Sequence, residues 1–214
     1  MNLIDISPTI SERLAVWPGD VPFSRDVALD FEKGDNLVLS AIKATVHLGA
    51  HADAPNHYHP DGVGISERDP ALYIGPAQVI CASTAADGRI YPDNLENQNI
   101  TAPRVLLKTS SFPNPEDWNT DFAALSPELV RFLAGNGVCL VGIDTPSVDP
   151  FSDKVLHAHR EIYAHDMAIL EGLVLTDVQP DTYFLIAPPL KLKGLDASPV
   201  RALLLPLDQS PCPS

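Results

Sequence analysis

The chain has 214 residues, 45% of them hydrophobic, enough to bury one sizeable core and within the range of a single domain. Fourteen basic residues against 28 acidic ones give a formal net charge of -14, which repels phosphate backbones and anionic lipid and argues against nucleic acid or a membrane as partner. No apolar run is long enough to span a bilayer, and the start MNLIDISPTI lacks the basic end and apolar stretch of a secretory leader, so a cytoplasmic protein is expected.

Short β-branched or apolar runs read as strands at residues 3–6, 37–46, 77–82, 105–108, 138–143, 183–186 and 201–205. A helix is expected with Ser126 as its N-cap and Pro127 in its first position; it buries Leu129, Val130, Phe132 and Leu133 and stops near Gly135. A second helix, at about 154–167, has a poor apolar stripe and carries three histidines. The 21 prolines are scattered among apolar runs and predict rigid turns between short elements. Cys81 and Cys139 sit in apolar runs and read as core, Cys212 lies in a loose tail at 210–214, and no spacing suggests a disulfide or a cysteine metal site. These patterns predict a single α/β domain with strands in excess.

All seven histidines fall in two groups: His47, His51, His57 and His59 in the first, His157, His159 and His165 in the second. In a continuous strand His47 and His51 would stand roughly 13 Å apart, too far for one metal ion, so the chain must compact after His47. Gly49 permits that turn and Pro55 resists a helix, which predicts a strand ending in a tight ligand-bearing loop. Asp53 adds an anionic oxygen and completes a His/His/Asp set that suits zinc or a similar divalent ion with positions left open. The second group, with Glu171 beyond it, offers ligands for a second ion bridged by a carboxylate.

Blander readings hold elsewhere. His59 and His165 read as surface residues, and His157 is open between the two. Glu171 lies in an apolar run and needs either a cation or exposure, a solvated turn before Gly172 being the alternative. Trp17, in the turn Trp17-Pro18-Gly19-Asp20, reads either as a lid on the core or as a platform for an aromatic substrate. Asp144, which closes the run 138–143, reads as a turn cap. The GxSxG, HExxH, P-loop and GxGxxG patterns are absent, which leaves metal-activated water as the strongest chemistry.

The run His47-x-Gly49-x-His51-x-Asp53-x-Pro55-x-His57 resembles the HxGTHxDxPxH signature of the cyclase family, which includes bacterial kynurenine formamidases. The resemblance extends through Trp17 to Asp20, Gly142 to Asp149 and Met167 to Gly172, and Leu195 to Arg201 is similar to the kynurenine formamidase branch in particular. It implies a swivelling β/β/α domain, a strand-rich mixed sheet with few helices, acting as a homodimer. It implies two divalent ions, Zn2+ with Mn2+ or Co2+ as substitutes, one held by His47, His51 and Asp53 and the other by Asp53, His159 and Glu171. His159 is chosen over His157 because it stands twelve residues before Glu171, as the family's ligand does. It implies His57 as acid/base, Trp17 against the substrate's ring, and hydrolysis of N-formyl-L-kynurenine to L-kynurenine and formate. An isatin-type hydrolase and a noncatalytic metal-binding scaffold are the alternatives. Ala50 stands where the family usually has threonine, and His59 is outside its motif.

Overall fold

The computed structural model describes residues 2–97 and 99–207; Cys212 and the tail at 210–214 lie outside them. After strand β1 (Ile4–Asp5) the chain forms an antiparallel ribbon of β2 (Ser24–Leu29) and β3 (Leu39–Lys43), then the short strand β4 (His51–Asp53). There follow β5 (Ile74–Cys81), β6 (Arg89–Ile90), β7 (Arg104–Lys108), β8 (Ala124–Leu125), α1 (Pro127–Gly135), β9 (Leu140–Ile143) and α2 (His157–Ala164). The chain ends with β10 (Ala168–Leu170), β11 (Thr182–Ile186), β12 (Ala197–Pro199) and β13 (Leu203–Pro206). Seven strands make one sheet in the order β1-β13-β11-β5-β7-β9-β10. Pairings from β1 to β5 are antiparallel and those from β5 to β10 parallel, so the strand-rich mixed sheet with few helices is the fold that forms.

The parallel half is apolar on both faces because both are covered. Val105, Leu107, Val141 and Ile143 pack with Leu129, Val130 and Leu133 of α1 and with Ala158 and Ile162 of α2. The alternate residues Leu106 and Leu140 belong to a second cluster with Ala50, Ala52, Ala54 and Tyr73. A thin third layer therefore lies on the face away from the helices, where β4 pairs antiparallel with β12, Ala197 opposite Asp53 and Pro199 opposite His51. Ala52 enters the core from this layer, and its neighbours His51 and Asp53 turn to the other side, where the site forms.

Helix α1 starts as expected: Ser126 Oγ accepts a hydrogen bond from the Leu129 amide at 3.0 Å, and Phe132 alone of the four apolar residues is only half-buried. Helix α2 is shorter than the expected span. Leu156 before it is left-handed (φ 59°), and Asp166 after it (φ 49°) turns the chain into β10. The run 37–46 yields only β3, whose residues are all exposed, paired with a strand the apolar pattern did not mark. Apolar composition marks the extended chain there but not burial, since no layer among the described residues covers the ribbon. Cys81 and Cys139 are half-buried and not core, each standing at the margin of its apolar run.

Candidate metal centre

The turn expected after His47 is made by Gly49 (φ 59°). His51 and Asp53, however, stand on β4 instead of in a loop, and their two-residue spacing puts both side chains on one face. Beyond β4, Pro55 opens a single 3-10 turn that ends at His57. On its other side β4 meets Glu171 through two backbone hydrogen bonds, each amide donating to the other residue's carbonyl at 3.0 Å. That approach requires Gly172: a Cβ there would lie 2.2 Å from the Gly49 carbonyl oxygen, and its φ of 66° disfavours any side chain. His159 arrives from the first turn of α2, whose N-terminal amides at Ala158 and His159 donate to Asp149.

These elements bring all five expected ligands together. His47 Nδ1 lies 3.0 Å and His51 Nε2 3.4 Å from Asp53 Oδ1, while His159 Nε2 faces Asp53 Oδ2 at 3.4 Å. Glu171 spans the same centre, with Oε2 3.2 Å from His51 Nε2 and Oε1 3.6 Å from His159 Nε2. Glu171 is buried, so the solvated-turn reading is excluded; its Oε1 also accepts from the Val148 amide at 2.7 Å.

The donors fit a cation. His51 Nδ1 donates to the Gly49 carbonyl at 2.8 Å, so a neutral ring keeps a lone pair on Nε2, and that lone pair faces the carboxylates of Asp53 and Glu171. His51 Nε2 and Asp53 Oδ1 are both buried without a hydrogen-bond partner among the described residues, which is costly unless positive charge lies between them. His159 repeats the pattern: its Nδ1 donates to Asp149 Oδ2 at 2.8 Å and its Nε2 faces inward. Burial works against charge on His47, yet Asp53, Asp196 and Glu171 outweigh it and push the pKa up to about 10. His159 reaches about 10 against the same penalty through Asp149, Asp53 and Glu171. Burial would raise the Asp53 carboxyl, but His47, His159 and His51 hold it well below the usual carboxylate range. The cluster demands positive charge, and a His/Asp group of this geometry could hold a metal ion.

His57 stands at the exposed rim, its ring 4.2 Å from that of His47. A cavity of about 480 Å³ opens beside it, lined by Trp17, Phe112, Trp118, His47, His51 and Glu171 among others. Trp17 is half-buried, in contact with Phe151 at 4.9 Å and Trp118 at 5.3 Å between ring centroids, so it is both part of an aromatic cluster and a wall of the cavity. Asp144 caps the loop after β7, accepting from the amides of Thr109 and Ser110. The remaining histidines stay outside the centre. His59 stacks on Tyr163 at 3.8 Å, His157 pairs with Asp153 at 2.7 Å, and His165 is exposed beside Glu161. Asp149, Asp196, Phe112 and Trp118 are site residues that the sequence reading did not single out; the two acids lie within the stretches of family resemblance at 142–149 and 195–201, which could have pointed to them, whereas the two aromatics carry no spacing signal.

A domain with helices on one face of a mixed sheet and a His/Asp/Glu centre on a ribbon over the other defines the class of protein. The Cyclase family model matches residues 4–150, well over half of the chain, and the chain belongs to that family. A potential metal-dependent hydrolase with cyclase activity is 28% identical, with 95% of this chain and 96% of that chain covered and a TM-score of 0.82. A predicted metal-dependent hydrolase from Bacillus stearothermophilus is also 28% identical, with 95% and 97% covered and a TM-score of 0.79. Isatin hydrolase A from Labrenzia aggregata, bound to benzyl benzoate, shares the fold at 23% identity and a TM-score of 0.79, with 95% and 93% covered.

Proposed function

We propose that this protein is a metal-dependent arylformamidase that hydrolyses N-formyl-L-kynurenine to L-kynurenine and formate. The observation that carries the reading is the pair of partnerless buried atoms, His51 Nε2 and Asp53 Oδ1, beside a cavity with an aromatic wall. His47, His51 and Asp53 would hold one divalent ion, zinc by preference, and Asp53, His159 and Glu171 a second. Ions so held supply Lewis-acid polarisation and lower the pKa of water to about 7. The rest is the work of the chain. Trp17 and Trp118 line the cavity where the aryl ring would sit, and an aromatic wall favours an aryl amide over an aliphatic one. As water adds to the formyl carbon, His57 would take a proton from it and hand one to the departing aryl amine, so that the new C–O bond replaces the C–N bond and the products are a neutral amine and formate.

The exposed ribbon supports a homodimer. Ile42 is 73%, Phe31 64% and Leu39 54% exposed on or beside two strands that no third strand supports among the described residues, and an isolated ribbon of this kind is marginal in water. Sedimentation of the wild type and of Ile42→Asp is expected to give dimer and monomer respectively.

Formate release from N-formyl-L-kynurenine, measured before chelation, after it and after zinc is restored, tests the function. Activity lost and regained is expected; no turnover by the zinc-loaded protein, or faster opening of isatin, overturns it. His57→Ala is expected to keep its metal and lose about 10²- to 10⁴-fold in kcat.

A further inference from the structure

We propose that Asp196 is the positioning residue that sets the tautomers of His47 and His57 together, and so ties the metal cluster to proton transfer. The inference rests on the role given to His57 above.

A single oxygen, Asp196 Oδ2, lies 3.1 Å from His47 Nε2 and 3.2 Å from His57 Nδ1. An ionised carboxylate only accepts, so each ring must present an N–H to it: Nε2–H on His47 and Nδ1–H on His57. Each neutral ring then carries its lone pair on the opposite nitrogen. For His47 that nitrogen is Nδ1, 3.0 Å from Asp53 Oδ1, which is the orientation a ligand of the cluster needs. For His57 it is Nε2, the atom left to carry a proton to and from substrate.

The backbone shows that this carboxylate is held in place. The Asp196 carbonyl accepts from the Ala54 amide at 2.8 Å, the preceding carbonyl of Leu195 accepts from Ile65 at 3.0 Å, and the next residue, Ala197, is in register with Asp53. Asp196 is thus delivered across the β4–β12 ribbon to the rim of the site, where His57 is exposed and its ring has no other hydrogen-bond partner among the described residues. The same three donors lie close enough to grip a cation themselves. Metal content separates that arrangement from positioning.

The test uses the metal-loaded enzyme with Asp196→Ala, Asp196→Asn, His57→Ala and the Asp196→Ala/His57→Ala double variant. Asp196→Ala is expected to lower kcat on N-formyl-L-kynurenine by about 100-fold with KM within about threefold, and Asp196→Asn by less. With metal supplied in excess both ions stay bound, while competition with a chelator is expected to show about 10-fold weaker binding of one of them, because Asp196 also orients His47. The loss shrinks to about threefold or less on 4-nitrophenyl formate, whose leaving group departs without a proton. The double variant is no slower than His57→Ala alone. Histidine 15N spectra are expected to show Nδ1–H on His57 in the wild type and a tautomer mixture in Asp196→Ala. Loss of a metal ion even with metal in excess, an equal loss on amide and ester, additive losses in the double variant, or unchanged tautomers would each overturn the proposal. The spectra need no turnover, so they judge Asp196 even where the formamidase reading itself fails.

Discussion

His47, His51 and Asp53 are brought together by one turn at Gly49 and one short strand, whereas His159 and Glu171 come from α2 and the end of β10, with His159 meeting Asp53 across 106 residues of chain. The near half depends on local backbone conformation and on pairing with β12. The far half depends on how layers of the fold pack, through the contact of Gly172 on Gly49 and the Asp149 carboxylate behind His159. Both halves share Asp53, one oxygen for each. Damage to packing should therefore loosen the far half while leaving the near half intact, and damage to Asp53 should remove both.

Asp53→Ala sets the upper limit: kcat/KM is expected to fall by about 10⁴-fold or more, with metal content measured in parallel falling to near zero. Gly172→Ala attacks the joint between the halves. Its Cβ would collide with backbone, not with a flexible side chain, and thermal unfolding is expected to show a loss of about 4 kcal/mol. Asp149→Asn leaves every ligand in place but weakens the acceptor behind His159, and competition with a chelator is expected to show about 10- to 100-fold weaker binding of one ion only. Ser126→Ala, at the start of α1 on the opposite face of the sheet, should cost about 1 kcal/mol of stability and leave metal binding unchanged.

The same contrast explains what could be read in the sequence. The near half was legible because its ligands share one stretch in which Gly49 and Pro55 constrain the backbone. The central strands β5, β7, β9 and β11 were legible because each keeps an apolar run flanked by turn residues, and α1 because Ser126 and Pro127 mark its start. The strands β4, β10 and β12 were not, since three residues contain no measurable period and their extended shape comes from a neighbour. Asp149 and Asp196 are ordinary acids until the fold places an imidazole against each, a relation between distant residues that spacing cannot carry. The ribbon differs again: the apolar residues of β3 marked a strand correctly and carried no sign that all of them stand exposed.

The long reach of the far half also bears on synthesis. A ribosome delivers the His47 to His57 stretch early, with three imidazoles and a carboxylate already able to sample ions loosely. Asp196, whose Oδ2 holds His47, emerges 149 positions later. Tight metal capture therefore waits for these distant residues, and any ion gripped by the nascent segment competes with it and lowers the stabilisation that the native site gains by mass action.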